Sequence, residues 1–494
     1  ERVDGLKDYC RQDLKVERSI AEKIPRLPEQ ERQVWLLDQR INDRGICLDQ
    51  NLVKASLAVV EQSRASANKK MHQITAGSVS SVTNAPALTE WLYQRGIECD
   101  GVAKESVSRL LEKELPVDVE GALKLRAGNA LSSTAKLGAM LEACCPDGRI
   151  RGLLKYHGAS TGRWSGKLVQ PQNFPRGMPD LCTAQASRTV MLKNASLVDI
   201  LHGPPVEVIS SLLRAMFHAP EGRTLIAADY SSIEARVLAW LAGEKSLVKA
   251  FAQGEDVYML MASVIYGIQA KRVSRMQRQI GKTAVLGCGY SMGHERFRDQ
   301  CAQAGIIIDE GQARLIIKNY RKNNPGITRL WKSMEEAAIS AVQSGEAVYA
   351  ARGRIRFEMK DKVLRMILPS GRALHYHSPR TIEVETPWNE LTPALLHHGV
   401  NTVTRKWSEQ RTYGGRLTEN AVQAIARDLL AEAMLRLDSR GWEIVLSVHD
   451  ELVAECDEEF ADLDAFTSLM EAAPKWAKGC PIEAEGWISG RYRK

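Results

Sequence analysis

No run of about 18 or more uncharged apolar residues occurs in the 494-residue chain, which excludes a membrane-spanning helix and leaves no membrane partner expected. The ten cysteines include no CxxC pair, and the adjacent Cys144 and Cys145 lack zinc-site spacing. Free thiols in a reducing cytosol are the simpler reading, so a cytoplasmic location is expected. The opening Glu1-Arg-Val-Asp-Gly-Leu-Lys-Asp-Tyr-Cys10 has neither an apolar signal core nor an initiator Met and reads as an internal starting point. No internal repeat or low-complexity tract is found. One more absence is local: Lys271-Arg-Val-Ser-Arg-Met-Gln-Arg-Gln-Ile-Gly-Lys282 contains no acidic residue.

What is present suits a large soluble protein. Hydrophobic residues make up 44% and charged residues 26%, and the length suggests roughly three units of ~150 residues. The net charge of +7 permits a polyanionic partner without requiring one. Residues 1–30 read as a helix and linker ending near Pro25 and Pro28. Helical patterns dominate from 29 to about 141, including a long polar helix from about Asp49 to His72. Residues 148–220 are rich in Gly, Pro and Asn, so helix signals are interrupted there. Thr224 to Ala242 reads as strand then helix, and Asp256 to Ser344 as helices broken at 287–293 and 323–326. Alternation over 348–384 suggests a small β insertion. Ala421 to Leu437 reads as an amphipathic helix, and Glu443 to Cys456 as a hairpin turning at His449-Asp450-Glu451.

Two aspartates, Asp229 and Asp450, each end a strand-like apolar run. They make one metal site only if the fold joins their strands. Between them lies the basic segment, where Lys271, Arg275, Arg278 and Lys282 fall within about 40° of one line on a helix, with Val273, Met276 and Ile280 opposite. The same ladder continues to Leu286 and Tyr290, about 18 Å beyond Arg278. A nucleoside triphosphate along it would meet cations at its phosphates and apolar or aromatic groups at its base. Taken singly, Asp229 suits a helix cap, Asp450 a hairpin turn and the basic face a solvated surface. Their combination points to metal-assisted phosphate chemistry.

These residues resemble DNA polymerase I-like enzymes of family A. Asp229-Tyr-Ser-Ser-Ile-Glu-Ala-Arg236 is similar to motif A; Arg278, Lys282, Thr283, Gly287 and Tyr290 to motif B; Val448-His-Asp-Glu451 to motif C. Thr161-Gly-Arg163 with Ser165, Gln172-Asn173 and Asn420-Ala-Val-Gln423 also match, in the family's order, and the resemblance spans roughly residues 31–494. It implies an α+β right-hand polymerase with an antiparallel-sheet palm, helical fingers carrying a small β insertion, and a helical thumb. The implied division is an exonuclease remnant and linker at 1–30, thumb 31–141, palm 142–242 and 411–494, and fingers 243–410.

The resemblance further implies templated DNA synthesis with two Mg²⁺ ions, Mn²⁺ being able to substitute, held by Asp229, Asp450 and the Tyr230 carbonyl, with Glu451 auxiliary. Arg278 and Lys282 would hold the incoming phosphates, Lys282 also protonating pyrophosphate. Glu234 would exclude a ribose 2′-hydroxyl, and Leu286, Tyr290 and Tyr258 would line the nucleotide site. Arg163, Gln172, Asn173, Gln423 and His449 would contact DNA. Implied partners are primer-template DNA and deoxynucleoside triphosphates, for a monomer with replisome accessory proteins.

Leu286 departs from the Phe or Tyr common in relatives, Tyr258 from a His, and Ala424 from a Gly. The stretch Thr412 to Asp428 is similar to the bacteriophage branch, implying phage replication in a host cytoplasm. Tyr9 and Asp13 resemble the last motif of a 3′–5′ exonuclease whose upstream carboxylates this chain lacks, so no proofreading is expected from it. A single-subunit RNA polymerase is a rival that Glu234 disfavours. A non-catalytic DNA-binding descendant is a second, disfavoured by Asp229, Asp450, Arg278 and Lys282 occurring together.

Overall fold

The computed structural model describes residues 2–24, 26–385, 391–401 and 404–493. Its centre is a four-stranded antiparallel sheet ordered Glu443–Val448, Glu451–Asp457, Arg223–Tyr230, Ala484–Ser489. Leu225 to Ala228 are all buried, so this strand carries a continuous apolar run because both faces are covered. The register sets Glu451 opposite Asp229 on one side and Glu485 opposite it on the other. Asp450 occupies the hairpin turn next to Glu451. The two aspartates thus meet at one sheet end, and the α+β organisation expected from the sequence is observed.

The helix Gly414–Ser439 is buried on nearly every side. That is a correction: an amphipathic Ala421 to Leu437 was expected, yet even Arg427 and Asp428 are buried. Arg427 is compensated by an ion pair with Glu31, by the Gly162 carbonyl at 3.1 Å, and by the Trp164 ring 4.9 Å away. Asp428 accepts from Arg372 Nε at 2.6 Å, and that guanidinium also donates to the Thr161 and Ala424 carbonyls. Removing either charge would strand its partner in a dry site, at roughly 3–5 kcal/mol.

Residues 29–143 form six helices, the longest Gln50–Ile74 with Asp49 as its cap. Met71, Val79, Leu88, Trp91 and Leu123 give the far end of this arm its own small core. Strand Ile46–Leu48 interrupts the helices and pairs with Arg149–Ile150 and Phe217–His218. In the region where helix signals were weak, three short helices form, Thr183–Met191, Ala195–His202 and Pro205–Leu212. The first helix, Arg2–Lys23, is exposed along its length, with Tyr9 65% exposed. Pro25 lies outside the described residues.

Two further expectations change. The basic helix begins at Arg275, not Lys271, because Ser274 and Gln277 form a capping box. Lys271 falls in a separate 3-10 turn, Ala270–Arg272, and leaves the ladder. Met276, expected on the packed face, is 61% exposed, while Ile280 is buried. The β insertion is a six-stranded antiparallel sheet running from Val348 to Thr412. Its last two strands extend it beyond the expected 348–384 and carry weak strand signals, since Leu391–Val400 contains Pro393 and the edge strand Trp407–Thr412 is mostly polar.

Candidate active site

Strand Arg223–Tyr230 ends in the turn Ser231-Ser232, where Ser232 adopts a left-handed φ of 53° before helix Ile233–Ala242. Ser232, not Asp229, therefore precedes the helix, and Asp229 is no cap. Across the sheet end His449 is also left-handed, at φ 57°. Two strained non-glycine residues beside two carboxylates are held by local bonds. Ser232 Oγ lies 2.7 Å from Tyr258 Oη, and His449 Nε2 lies 3.2 Å from the Gln172 carbonyl. The Tyr230 N–H donates to the Asp450 carbonyl at 3.2 Å and joins the strand ends.

Arg163 crosses this site. Its guanidinium donates to Glu234 Oε1 at 2.6 Å and Asp450 Oδ1 at 3.2 Å. Burial raises the Asp450 pKa, Arg163 opposes that shift, and Glu234 and Asp229 add to it. Glu234 also accepts from Tyr290 Oη at 3.0 Å. Glu451 is buried and accepts from Tyr492 Oη at 2.6 Å. Among the described residues no group of three or more His, Cys, Asp or Glu side chains has a metal-holding arrangement. Two aspartates beside a backbone carbonyl, crowded by like charge, are nonetheless the hard oxygen donors Mg²⁺ takes while keeping positions for substrate and water.

The cations come from helix Arg275–Gly287. Arg278 Nε donates to Asp256 Oδ2 at 2.6 Å, and Asp256 caps helix Val257–Tyr266. The Arg278 guanidinium and Lys282 ammonium lie 5.4 and 5.8 Å from the centre of the Tyr258 ring. One tyrosine thus supports both cations and bonds the turn that follows Asp229. Burial lowers the Lys282 pKa, with help from Arg176 and Arg278. The two helices approach so closely that a Cβ at Gly281 would collide with the Tyr258 carbonyl. Further along, Leu286 is 42% exposed and Trp331 Nε1 bonds the Gly289 carbonyl at 2.7 Å, fixing the turn that carries Tyr290.

The remaining expected residues are more dispersed. Gln172 Nε2 donates to the Ser447 carbonyl at 3.2 Å, leaving its buried Oε1 without a partner among the described residues. Asn173 donates to Gln170 at 2.8 Å, and Gln423 to Glu419 at 3.3 Å. Sequence reasoning missed Asp256, Ser232 and Arg176 as neighbours of the cations. Asp256 had a signal, since an Asp before an apolar run is a cap.

The sequence model of DNA polymerase family A matches residues 53–493. The chain belongs to DNA polymerase family A. As a family A member it is a DNA-directed DNA polymerase with a right-hand fold. It is 36% identical to the DNA polymerase of Bacillus phage SP02 over 505 aligned positions, covering 100% of this chain and 76% of the relative. Against the thermostable DNA polymerase I of Thermus aquaticus identity is 27%, over 63% of this chain and 32% of that protein. The polymerase domain of Pol1 from M. smegmatis, solved with DNA primer-template and dNTP, superposes with a TM-score of 0.62. It covers 91% of this chain and 68% of that one at 18% identity, a likeness of fold.

Proposed function

We propose that this family A polymerase extends a DNA primer with deoxynucleotides at the sheet end holding Asp229 and Asp450. The observation that carries the reading is the bonded path from that end to the cations, through Ser232 and Tyr258 to Arg278 and Lys282. Residues 31–141 act as thumb, 142–242 and 411–494 as palm and 243–410 as fingers, with 1–30 a nuclease remnant.

Asp229, Asp450 and the Tyr230 carbonyl would hold two Mg²⁺ ions, with Glu451 supporting from its bond to Tyr492. When bound, the metals supply activation of the primer hydroxyl and charge stabilisation on the phosphates. Arg278 grips the triphosphate as a fork, and Lys282 as a point charge. A lowered pKa makes Lys282 a readier proton donor to leaving pyrophosphate. Glu234, fixed by Tyr290 and Arg163, blocks the space of a 2′-hydroxyl. Leu286 and Tyr290 line the base end. Arg163 and Gln423 test minor-groove acceptors shared by all four base pairs. His449 touches the primer terminus, and Gln172 and Asn173 contact the DNA. The biological setting proposed is phage replication in a host cytoplasm, as a monomer working with replisome accessory proteins.

Primer extension in Mg²⁺ with deoxynucleotides, then ribonucleotides, tests the reading. Extension with the first and little with the second is expected. No extension with either would favour a non-catalytic role. A mismatched primer should keep its 3′ end, and shortening by pure protein would overturn the absence of proofreading in this chain.

A further inference from the structure

Helix Ile233–Ala242 starts beside the aspartates, and its far end, about 13 Å away at 1.5 Å per residue, borders a cavity of about 350 Å³. Five cations line it: Lys245 and Lys249 from helix Lys245–Ala252, Arg352 and Arg354 from the start of the six-stranded sheet, and Lys478 from the C-terminal segment. No carboxylate lines it, and among the described residues none of the five forms an ion pair. The nearest acid in sequence, Glu244, is turned to the Gly326 amide at 2.8 Å.

The cavity wall is built. Arg354 is half-buried with its guanidinium 4.7 Å from the centre of the Trp240 ring. Burial and the neighbouring Arg352 both lower its pKa. Trp240 Nε1 bonds the Lys478 carbonyl at 3.1 Å and ties the third segment to the helix. Ala351 and Arg352 are consecutive left-handed residues, at φ 51° and 61°. A non-glycine residue held in this region is strained. This backbone sets the Arg352 guanidinium so close to Gly243 that a Cβ there would collide with it. Lys245 also opens a helix, where the dipole disfavours a cation. Backbone strain at Ala351 and Arg352 and the Arg352–Arg354 repulsion thus converge on one open cavity with no internal counter-charge, where Arg354 is half-buried and the other four cations are exposed.

We propose that this cavity is a second anion site, taking the di- or triphosphate group of a small molecule. A phosphodiester carries one charge and would leave most of five cations unbalanced, whereas a terminal phosphate carries about 1.5–2 and a polyphosphate more. The volume lies in the range of small-molecule sites. The site is separate from Arg278 and Lys282 and stands whether or not those residues bind a nucleotide.

Isothermal titration calorimetry of the full chain with inorganic tripolyphosphate, in metal-free buffer, tests it. Wild type should show two sites. Lys249→Glu with Arg352→Glu should weaken one at least about tenfold while primer extension is unchanged, and Arg278→Ala with Lys282→Ala should remove only the other. Wild-type binding by the first variant, or a lone wild-type site that the second variant abolishes, would overturn the proposal. So would dependence on Lys249 and Arg352 for an unprimed oligonucleotide but not for tripolyphosphate, which would make the cavity a DNA contact. If the charge reversals unfold the chain, Lys245→Gln with Lys478→Gln gives the same readout, with a loss of about threefold or more expected and none contradicting the site.

Discussion

The cations at the two ends of helix Ile233–Ala242 live under different rules. At the front, Arg163 is paired with Glu234 and Asp450, Arg278 with Asp256, and Lys282 rests over Tyr258. At the rear, Lys245, Lys249, Arg352, Arg354 and Lys478 share a cavity with no carboxylate in its wall. Front partners hold each cation in place before substrate arrives, which is how a site that performs chemistry lowers the cost of positioning. Rear cations wait for charge to come from outside. A cationic cluster alone therefore says little about catalysis; the carboxylates and aromatics that orient it say more.

Among the groups around the front cations, the largest effect is expected from Lys282→Ala, a fall in kcat of about 10² to 10⁴, the range for a lost general acid. Because its pKa is lowered, the proton is lost at lower pH than from an ordinary lysine. The alkaline limb of kcat/KM should therefore lie below the usual lysine range and move upward in Lys282→Arg. A limb unmoved by that change would assign the proton elsewhere. Next, Glu234→Ala should reduce discrimination against ribonucleotides by about 10², the scale of a pocket that rejects one extra hydroxyl. Competition between deoxy- and ribonucleotide substrates measures it, and unchanged selectivity would remove the gate.

Asp256→Asn leaves Arg278 without its charged partner and should raise the deoxynucleotide KM about tenfold, in line with a charge-assisted bond of about 1.5 kcal/mol. A fall in KM would mean that Asp256 competes with substrate, which would break the contrast between front and rear. The smallest effect belongs to Tyr258→Phe, which keeps the ring under both cations and loses the bond to Ser232. Stability should drop by about 1 kcal/mol with KM unchanged, measured by denaturant unfolding beside steady-state kinetics. A large rise in KM would show that the hydroxyl itself positions the phosphate-binding cations.

The pairing of Asp229 and Asp450 was legible because each ends a strand-like apolar run. The cationic ladder is legible from helical spacing, except that Lys271 falls outside it because the Ser274–Gln277 capping box starts the helix inside the basic run. Arg163 could be identified by resemblance, yet its bridge between Glu234 and Asp450 depends on an irregular segment that has no periodicity to read. The Ser232–Tyr258 bond joins two short polar signals that mean nothing until helices pack at Gly281. The rear cavity left no trace in the sequence, since its cations come from three distant segments and each looks like ordinary surface.

The central claim is that the sheet end shared by Asp229 and Asp450 is where the primer is extended. Single-nucleotide primer extension in Mg²⁺ by wild type and Asp450→Asn tests it most directly, with circular dichroism confirming that both are folded. A loss on the order of 10³-fold or more in rate, about 4 kcal/mol of barrier, is the predicted result. Equal rates for the two proteins would contradict it.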